Sequence, residues 1–260
     1  ARCLRAWMQG RLVLRAAAEP SRLLRGGTPA ELERRLGGRR LERVDRRGKY
    51  LLLFFDEGAG LLAHLGMTGK LVLRPTGMEE RFSRARFELE GGQSVHFRDP
   101  RRFGRLSLVE AGALLSQPEV AALGPDLLLS PPTAESLRER LGKGARRIKP
   151  ALMDQEVVAG LGNIYAAEAL FRAGIDPRRR AGELSGEELS RLAEAVRETL
   201  DFALSADAQG PGEIAYVEEG GPNPFLVYAK AGGPCPRCGG EVASFAQGGR
   251  TTYWCPRCQR

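Results

Sequence analysis

The chain has 260 residues, of which 42% are hydrophobic, enough for a genuine core and for two domains of ordinary size. Forty Lys and Arg against 32 Asp and Glu leave a net charge of +8, which points to a polyanionic partner. No apolar run approaches the roughly 18 residues of a membrane span, and Arg2, Arg5, Arg11 and Arg15 break any signal-peptide core at the start. A cytoplasmic protein is expected. Only five of the 40 basic residues are lysines (Lys49, Lys70, Lys143, Lys149 and Lys230). Each is of interest, because an amine can act as a base or nucleophile where a guanidinium cannot.

In chain order, Arg2 to Arg11 predicts an amphipathic helix. Thr28-Pro-Ala-Glu predicts a capped helix start with proline at the first helical position. From Leu41 the texture turns to strands. Leu51-Leu-Leu-Phe-Phe, Leu61-Leu-Ala-His-Leu, Lys70-Leu-Val-Leu, Ala85-Arg-Phe-Glu-Leu and Ser94-Val-His-Phe are short apolar or alternating runs divided by glycine turns. That spacing predicts a β-sandwich or barrel-like sheet. Helical periodicity follows over Ala134 to Leu141, Pro150 to Val158, Ile164 to Ala173 and Ser185 to Leu204, with a capping box at Ser185 and Glu188. The expected organisation is an N-terminal sandwich domain over 1–110, a linker over 111–125, a helical domain over 126–224 and a cysteine module over 225–260.

Cys235-Pro-Arg-Cys238 and Cys255-Pro-Arg-Cys258 are two C-x-x-C knuckles separated by 16 residues. Four thiolates on two such knuckles suit one tetrahedral, structural Zn2+ better than two disulfides or a redox pair. Cys3 reads as an ordinary buried thiol. Between the knuckles, the turn Gln247-Gly-Gly-Arg250 sets Arg250 at a hairpin tip.

Three further stretches carry chemistry. His64-Leu-Gly-Met-Thr-Gly69 places Met67 at the apex of a tight turn, where it either folds back on the core or serves as an apolar wedge in a base stack. Asp99-Pro-Arg-Arg-Phe-Gly104 sets Arg101 and Arg102 beside Phe103, an ordinary Arg-rich turn in isolation or a pair able to bond an orphaned base while the ring stacks. Met153 to Tyr165 reads as helix, glycine-rich turn, helix. There Asn163 and exposed amides offer a phosphate cradle close to Lys149, and a plain helical hairpin is the alternative.

Together with Arg47-Gly-Lys-Tyr-Leu-Leu-Leu, these motifs and the cysteine module follow one another in the order found in the formamidopyrimidine-DNA glycosylase and endonuclease VIII family, and the chain resembles its formamidopyrimidine branch. The resemblance implies an α+β multidomain fold: an N-terminal β-sandwich flanked by helices, then a helix–two-turn–helix domain with a four-cysteine zinc ribbon, with DNA between them. It implies a monomeric base-excision-repair glycosylase with AP-lyase activity on duplex DNA holding oxidised bases or abasic sites. Met67, Arg101 and Phe103 would fill the space of the everted nucleotide. Lys49, His64, Asn163, Tyr228 and Arg250 would grip phosphates, and Lys49 and Arg250 would also serve proton transfer and strand elimination.

The family's Pro-Glu-Leu-Pro-Glu type start, whose proline amine attacks the sugar, has no counterpart before Ala1-Arg-Cys-Leu. The polypeptide as written is therefore expected to bind DNA and to excise bases poorly. The lesion-capping stretch from Leu204 to Ala215, and Phe82-Ser-Arg-Ala, depart from the pattern of the guanine-oxidation specialists. Oxidised pyrimidines and ring-opened purines thus stand beside 8-oxoguanine as substrates. The competing readings are a non-catalytic binder of damaged DNA and an unrelated zinc-ribbon nucleic-acid protein.

Overall fold

The computed structural model describes residues 1–142, 144–206 and 222–260. The stretch proposed to cap the lesion lies outside them from residue 207 onward. The described residues fall into two compact units, one over Ala1–Ala121 and one from Ala122 onward.

The first unit opens with α1 (Arg2–Met8) and β1 (Leu12–Ala18). The helix is shorter than its pattern predicts, because Gln9 is extended and Gly10 takes φ +82°, turning the chain into β1. Strand β1, Leu-Val-Leu-Arg-Ala-Ala-Ala, has no strand signature of its own. Pairing with a later strand overrides its alanine-rich preference. After β2 (Leu24–Arg25), α2 (Pro29–Leu36) begins on the predicted cap: the Glu31 amide donates to Thr28 Oγ1 at 3.2 Å, and the Thr28 amide donates to Glu31 Oε2 at 2.8 Å.

Seven strands complete the sheet: β3 (Arg39–Arg47), β4 (Tyr50–Phe55), β5 (Ala59–His64), β6 (Lys70–Pro75), β7 (Ser83–Leu89), β8 (Gln93–Arg98) and β9 (Arg105–Glu110). Their order is β2-β9-β5-β4-β3-β1-β7-β8-β6, antiparallel except for β2 beside β9. The junction between halves is narrow, since β1 and β3 share only the pairs Leu12 with Arg40 and Val13 with Arg39. Val13, Phe87, Val95 and Phe97 from one half share a single core with Leu41, Val44, Leu51, Leu53, Leu61 and Leu106 from the other. The sheet is thus folded over on itself as a sandwich. A short helix, α3 (Pro118–Ala121), closes the unit.

The second unit contains α4 (Ala134–Leu141), α5 (Ile148–Met153), α6 (Asn163–Ala173), α7 (Gly186–Ala206) and a hairpin of β10 (Ala243–Gln247) and β11 (Arg250–Trp254). Leu152, Leu170, Leu192 and Val196 lie in its helical core. Helix α5 starts two residues earlier and ends five residues sooner than its periodicity predicts. Its apolar continuation, Val157 and Val158, is buried from a turn instead. Gln155 holds that turn: its Nε2 donates to the carbonyls of Met153 (2.7 Å) and Leu161 (2.8 Å), and its Oε1 accepts from the Gly160 amide (3.0 Å). The Ser185–Glu188 capping box is present at the start of α7. Among the described residues no helix is long and apolar enough to cross a membrane.

Candidate nucleic-acid interface and metal centre

In the first unit, strand register decides where the candidate residues fall. His64 ends β5 opposite Arg105, which begins β9. Lys70 begins β6 opposite Arg98, which ends β8. The loops 65–69 and 99–104 therefore run side by side between the same two strand pairs. Met67 is 63% and Phe103 48% exposed, so two large apolar side chains stand out from neighbouring loops. The Met67 side chain does not fold back into the core.

Gly66 explains how close the loops come. A Cβ at this residue, where φ is +69°, would lie 2.6 Å from the Phe103 carbonyl carbon, so only glycine fits. Arg102 is held at φ +59°, a conformation costing about 1 kcal/mol for a side-chain-bearing residue. It faces Glu19 at 3.5 Å. The Arg101 guanidinium lies 5.0 Å from the centroid of the Phe103 ring. Lys49 is exposed in the Gly48-Lys49 turn that joins β3 to β4. Its neighbour Tyr50 pairs with His64, the two rings 4.9 Å apart. His64 Nδ1 accepts from the Gly66 amide at 3.1 Å, which leaves its proton on Nε2. Burial, then the positive charges of Lys49 and Arg105, push the imidazole below its ordinary pKa and keep it neutral near pH 7.

In the second unit the remaining candidates gather along β11. Lys149 Nζ, on a residue only 1% exposed, donates to Asn163 Oδ1 at 2.6 Å. Asn163 Nδ2 in turn donates to the Thr251 carbonyl at 3.1 Å, next to exposed Arg250. Burial, followed by the Arg250 charge, lowers the Lys149 amine to about 8. The Tyr228 ring packs 5.1 Å from Tyr253 of β11 and 5.7 Å from Phe225. Arg250 follows Gly248 (φ +58°) and Gly249 (φ +73°), the left-handed pair that a two-residue hairpin turn needs.

Three positioning residues escaped the sequence reading. Gln155 holds the glycine-rich turn as described above. Glu168 is 3% exposed and accepts from the amides of Leu226 (2.7 Å), Val227 (2.9 Å) and Tyr228 (2.9 Å), fixing the turn that carries Tyr228. Asp99 is fully buried between the two loops of the first unit. Helical or strand periodicity tracks apolar residues, so buried carboxylates leave no signal in it. The one sequence hint was Asp99 immediately before a proline, a turn-forming pair.

The four sulfurs of Cys235, Cys238, Cys255 and Cys258 lie within 4.8 Å of one another, with 3.8 Å between Cys235 and Cys258 and 3.6 Å between Cys238 and Cys255. Those separations exceed a disulfide bond of about 2.05 Å. They suit a tetrahedron with Zn–S of about 2.3 Å, whose edges are about 3.8 Å. Four sulfurs leave no open position, so the centre is that of one structural zinc ion. The ribbon is docked on α6: Phe171 shares its core, and the buried Gln259 side chain donates to the Ile175 carbonyl while accepting from the Cys255 amide.

This geometry accords with the comparisons. The model of the formamidopyrimidine-DNA glycosylase N-terminal domain matches residues 1–106, that of the formamidopyrimidine-DNA glycosylase H2TH domain residues 123–213, and that of the zinc finger found in FPG and IleRS residues 232–260. The chain belongs to the formamidopyrimidine-DNA glycosylase family. A relative of that name from Cereibacter sphaeroides is 39% identical over 97% of this chain and 94% of its own. Another from Heliobacterium modesticaldum is 43% identical over 86% of this chain and 84% of its own. Among solved structures, the MutM (Fpg) protein of Thermus thermophilus superposes with a TM-score of 0.84 at 38% identity, covering 99% of this chain and 95% of that one. The Lactococcus lactis Fpg in complex with abasic-site DNA superposes at 0.86 with 30% identity and the same coverage. A MutM in complex with DNA containing carbocyclic 8-oxo-G gives 0.86 at 30% identity.

Proposed function

We propose that this protein is a base-excision-repair DNA glycosylase with AP-lyase activity, which everts a damaged nucleotide from duplex DNA and fills the gap with Met67, Arg101 and Phe103. Two adjacent loops presenting exposed apolar tips, in a family whose solved members hold abasic and 8-oxo-G DNA, carry this reading. Arg101 and Arg102 are suited to bond the orphaned base or a phosphate. Lys49 is suited to proton transfer beside the reacting sugar, and His64, neutral with a free Nε2–H, to phosphate contact.

From the second unit, Asn163, Tyr228 and Arg250 supply further phosphate donors, with Lys149 behind Asn163. Arg250, on an arm clamped by zinc, also assists strand elimination. The metal holds the ribbon and takes no part in bond making. Such a protein acts as a monomer on DNA with oxidised bases or abasic sites. An unrelated zinc-ribbon protein would leave the Met67 and Phe103 tips without a purpose.

The chemistry is tested by borohydride trapping on duplexes carrying an abasic site, 8-oxoguanine or an oxidised pyrimidine. Two proteins are compared: the 260-residue chain and the same chain preceded by Pro-Glu-Leu-Pro-Glu. Covalent complexes with the second protein, weakened by Lys49→Ala, are expected. Tight binding to abasic DNA without trapping by either protein would instead favour a non-catalytic binder.

A further inference from the structure

Asp99 is the most enclosed charged side chain of the first unit, with no exposure at all. Such a carboxylate is costly to bury unless donors surround it. Its Oδ2 accepts from the Gly104 amide at 2.7 Å, and its Oδ1 accepts from the Arg101 amide at 3.3 Å, so the carboxylate spans its own loop from one end to the other. The third bond leaves the loop: Thr68 Oγ1, next to Met67, donates to the same Oδ1 at 3.1 Å. Arg84 Nε donates to the Asp99 carbonyl at 2.9 Å, which fixes the residue's own backbone. Gly66 lies against the Phe103–Gly104 backbone so closely that no side chain would fit.

From this arrangement we infer that Thr68 and Asp99 are positioning residues that latch the Met67 turn to the Phe103 turn, so that the two apolar tips enter the DNA as one rigid wedge. The inference rests on the proposed role of those tips. The physical reason is entropic. Two independently mobile loops each lose conformational freedom on insertion, whereas a latched pair has already lost it in the free protein. The Thr68 hydroxyl is the only hydrogen bond of the carboxylate described above that crosses between the loops, so the latch can be opened there while both bonds within the Asp99 loop stay intact.

The test uses the full chain with Thr68→Val, which removes the hydroxyl at nearly constant volume, and Thr68→Ser, which restores it. The readout is the ratio of affinities for a duplex with a tetrahydrofuran abasic analogue and for the intact duplex. Loss of one ordering hydrogen bond should lower that preference about fivefold to tenfold in Thr68→Val. Intact-duplex affinity, which reports folding and general charge, should stay unchanged, and Thr68→Ser should keep the preference.

A second measurement separates positioning from ordinary stability. Met67→Ala and Phe103→Ala should be strongly non-additive in the parent chain and additive in the Thr68→Val background. If the single alanine variants lower the preference but Thr68→Val changes neither it nor their coupling, the latch is refuted and the wedge stands. If the alanine variants themselves leave the preference unchanged, the wedge reading fails and the latch with it.

Discussion

Replacing Glu168 by alanine should loosen the turn that presents Tyr228 and destabilise the second unit. The carboxylate is 3% exposed and serves three backbone amides, at 2.7 Å to Leu226 and 2.9 Å to Val227 and Tyr228. Val227 is fully buried, so its amide would lose a charge-assisted bond with no water to replace it, at a cost of about 2 kcal/mol. The half-buried amides of Leu226 and Tyr228 can recover water and lose about 0.5 kcal/mol each. The total of about 3 kcal/mol should lower the melting temperature by roughly 10 °C for a unit of this size.

Glu168→Gln tests the geometry more finely. Its remaining oxygen can still serve the Val227 and Tyr228 amides, while its amide group opposes the Leu226 N–H, so about a third to a half of the loss should appear. Calorimetry gives the stability, and anisotropy with abasic duplex gives the consequence for Tyr228. An unchanged melting temperature in Glu168→Ala would refute the claim that this side chain organises the turn.

Other outcomes follow from the same structure. Native mass spectrometry should find one zinc per chain, and stripping it or introducing Cys255→Ala should unfold the ribbon and weaken DNA binding by at least tenfold, as for a closed four-thiolate site that supplies folding energy. The lowered pKa of Lys149, about 8 against an ordinary 10.5, sets a pH window. The unfolded chain holds this proton up to higher pH, so the penalty for burying the charged amine applies in full below about pH 8 and is relieved as pH rises through about 8 to 10.5. Over the lower part of that window the site loses one positive charge beside Arg250. Affinity for abasic duplex should therefore fall between about pH 8 and 9 in the parent chain and show no such step in Lys149→Met, with anisotropy at fixed ionic strength as the assay.

The sequence showed more of the site than of the supports beneath it. Each motif proposed to face DNA combined glycines with side chains out of place in an ordinary turn, such as Met67 between Gly66 and Gly69, and the four cysteines carried their own spacing. The fold class was legible because the strands from Leu51 onward alternate with glycine turns. Strand β1 was not, because Leu12 to Ala18 becomes a strand only through pairing with Arg86, Phe87 and their neighbours far along the chain. Helix α5 misled because Val157 and Val158 continue an apolar pattern that Gln155 interrupts with side-chain bonds to three backbone groups. Asp99, Glu168 and Gln155 act through hydrogen bonds: local ones for Gln155, local ones and the Thr68 hydroxyl for Asp99, and amides brought near by the fold for Glu168. Such bonds leave no mark in apolar periodicity.

The most direct test of the central claim places 2-aminopurine opposite a tetrahydrofuran abasic analogue in duplex DNA and follows its fluorescence as protein is added. The wedge account predicts a rise with the parent chain as the opposing base is unstacked. With Met67→Ala/Phe103→Ala, binding should persist through the phosphate contacts while the rise is lost. The same rise with both side chains removed would contradict the account, because the opposing base would then be unstacked without the two residues proposed to fill the space beside it.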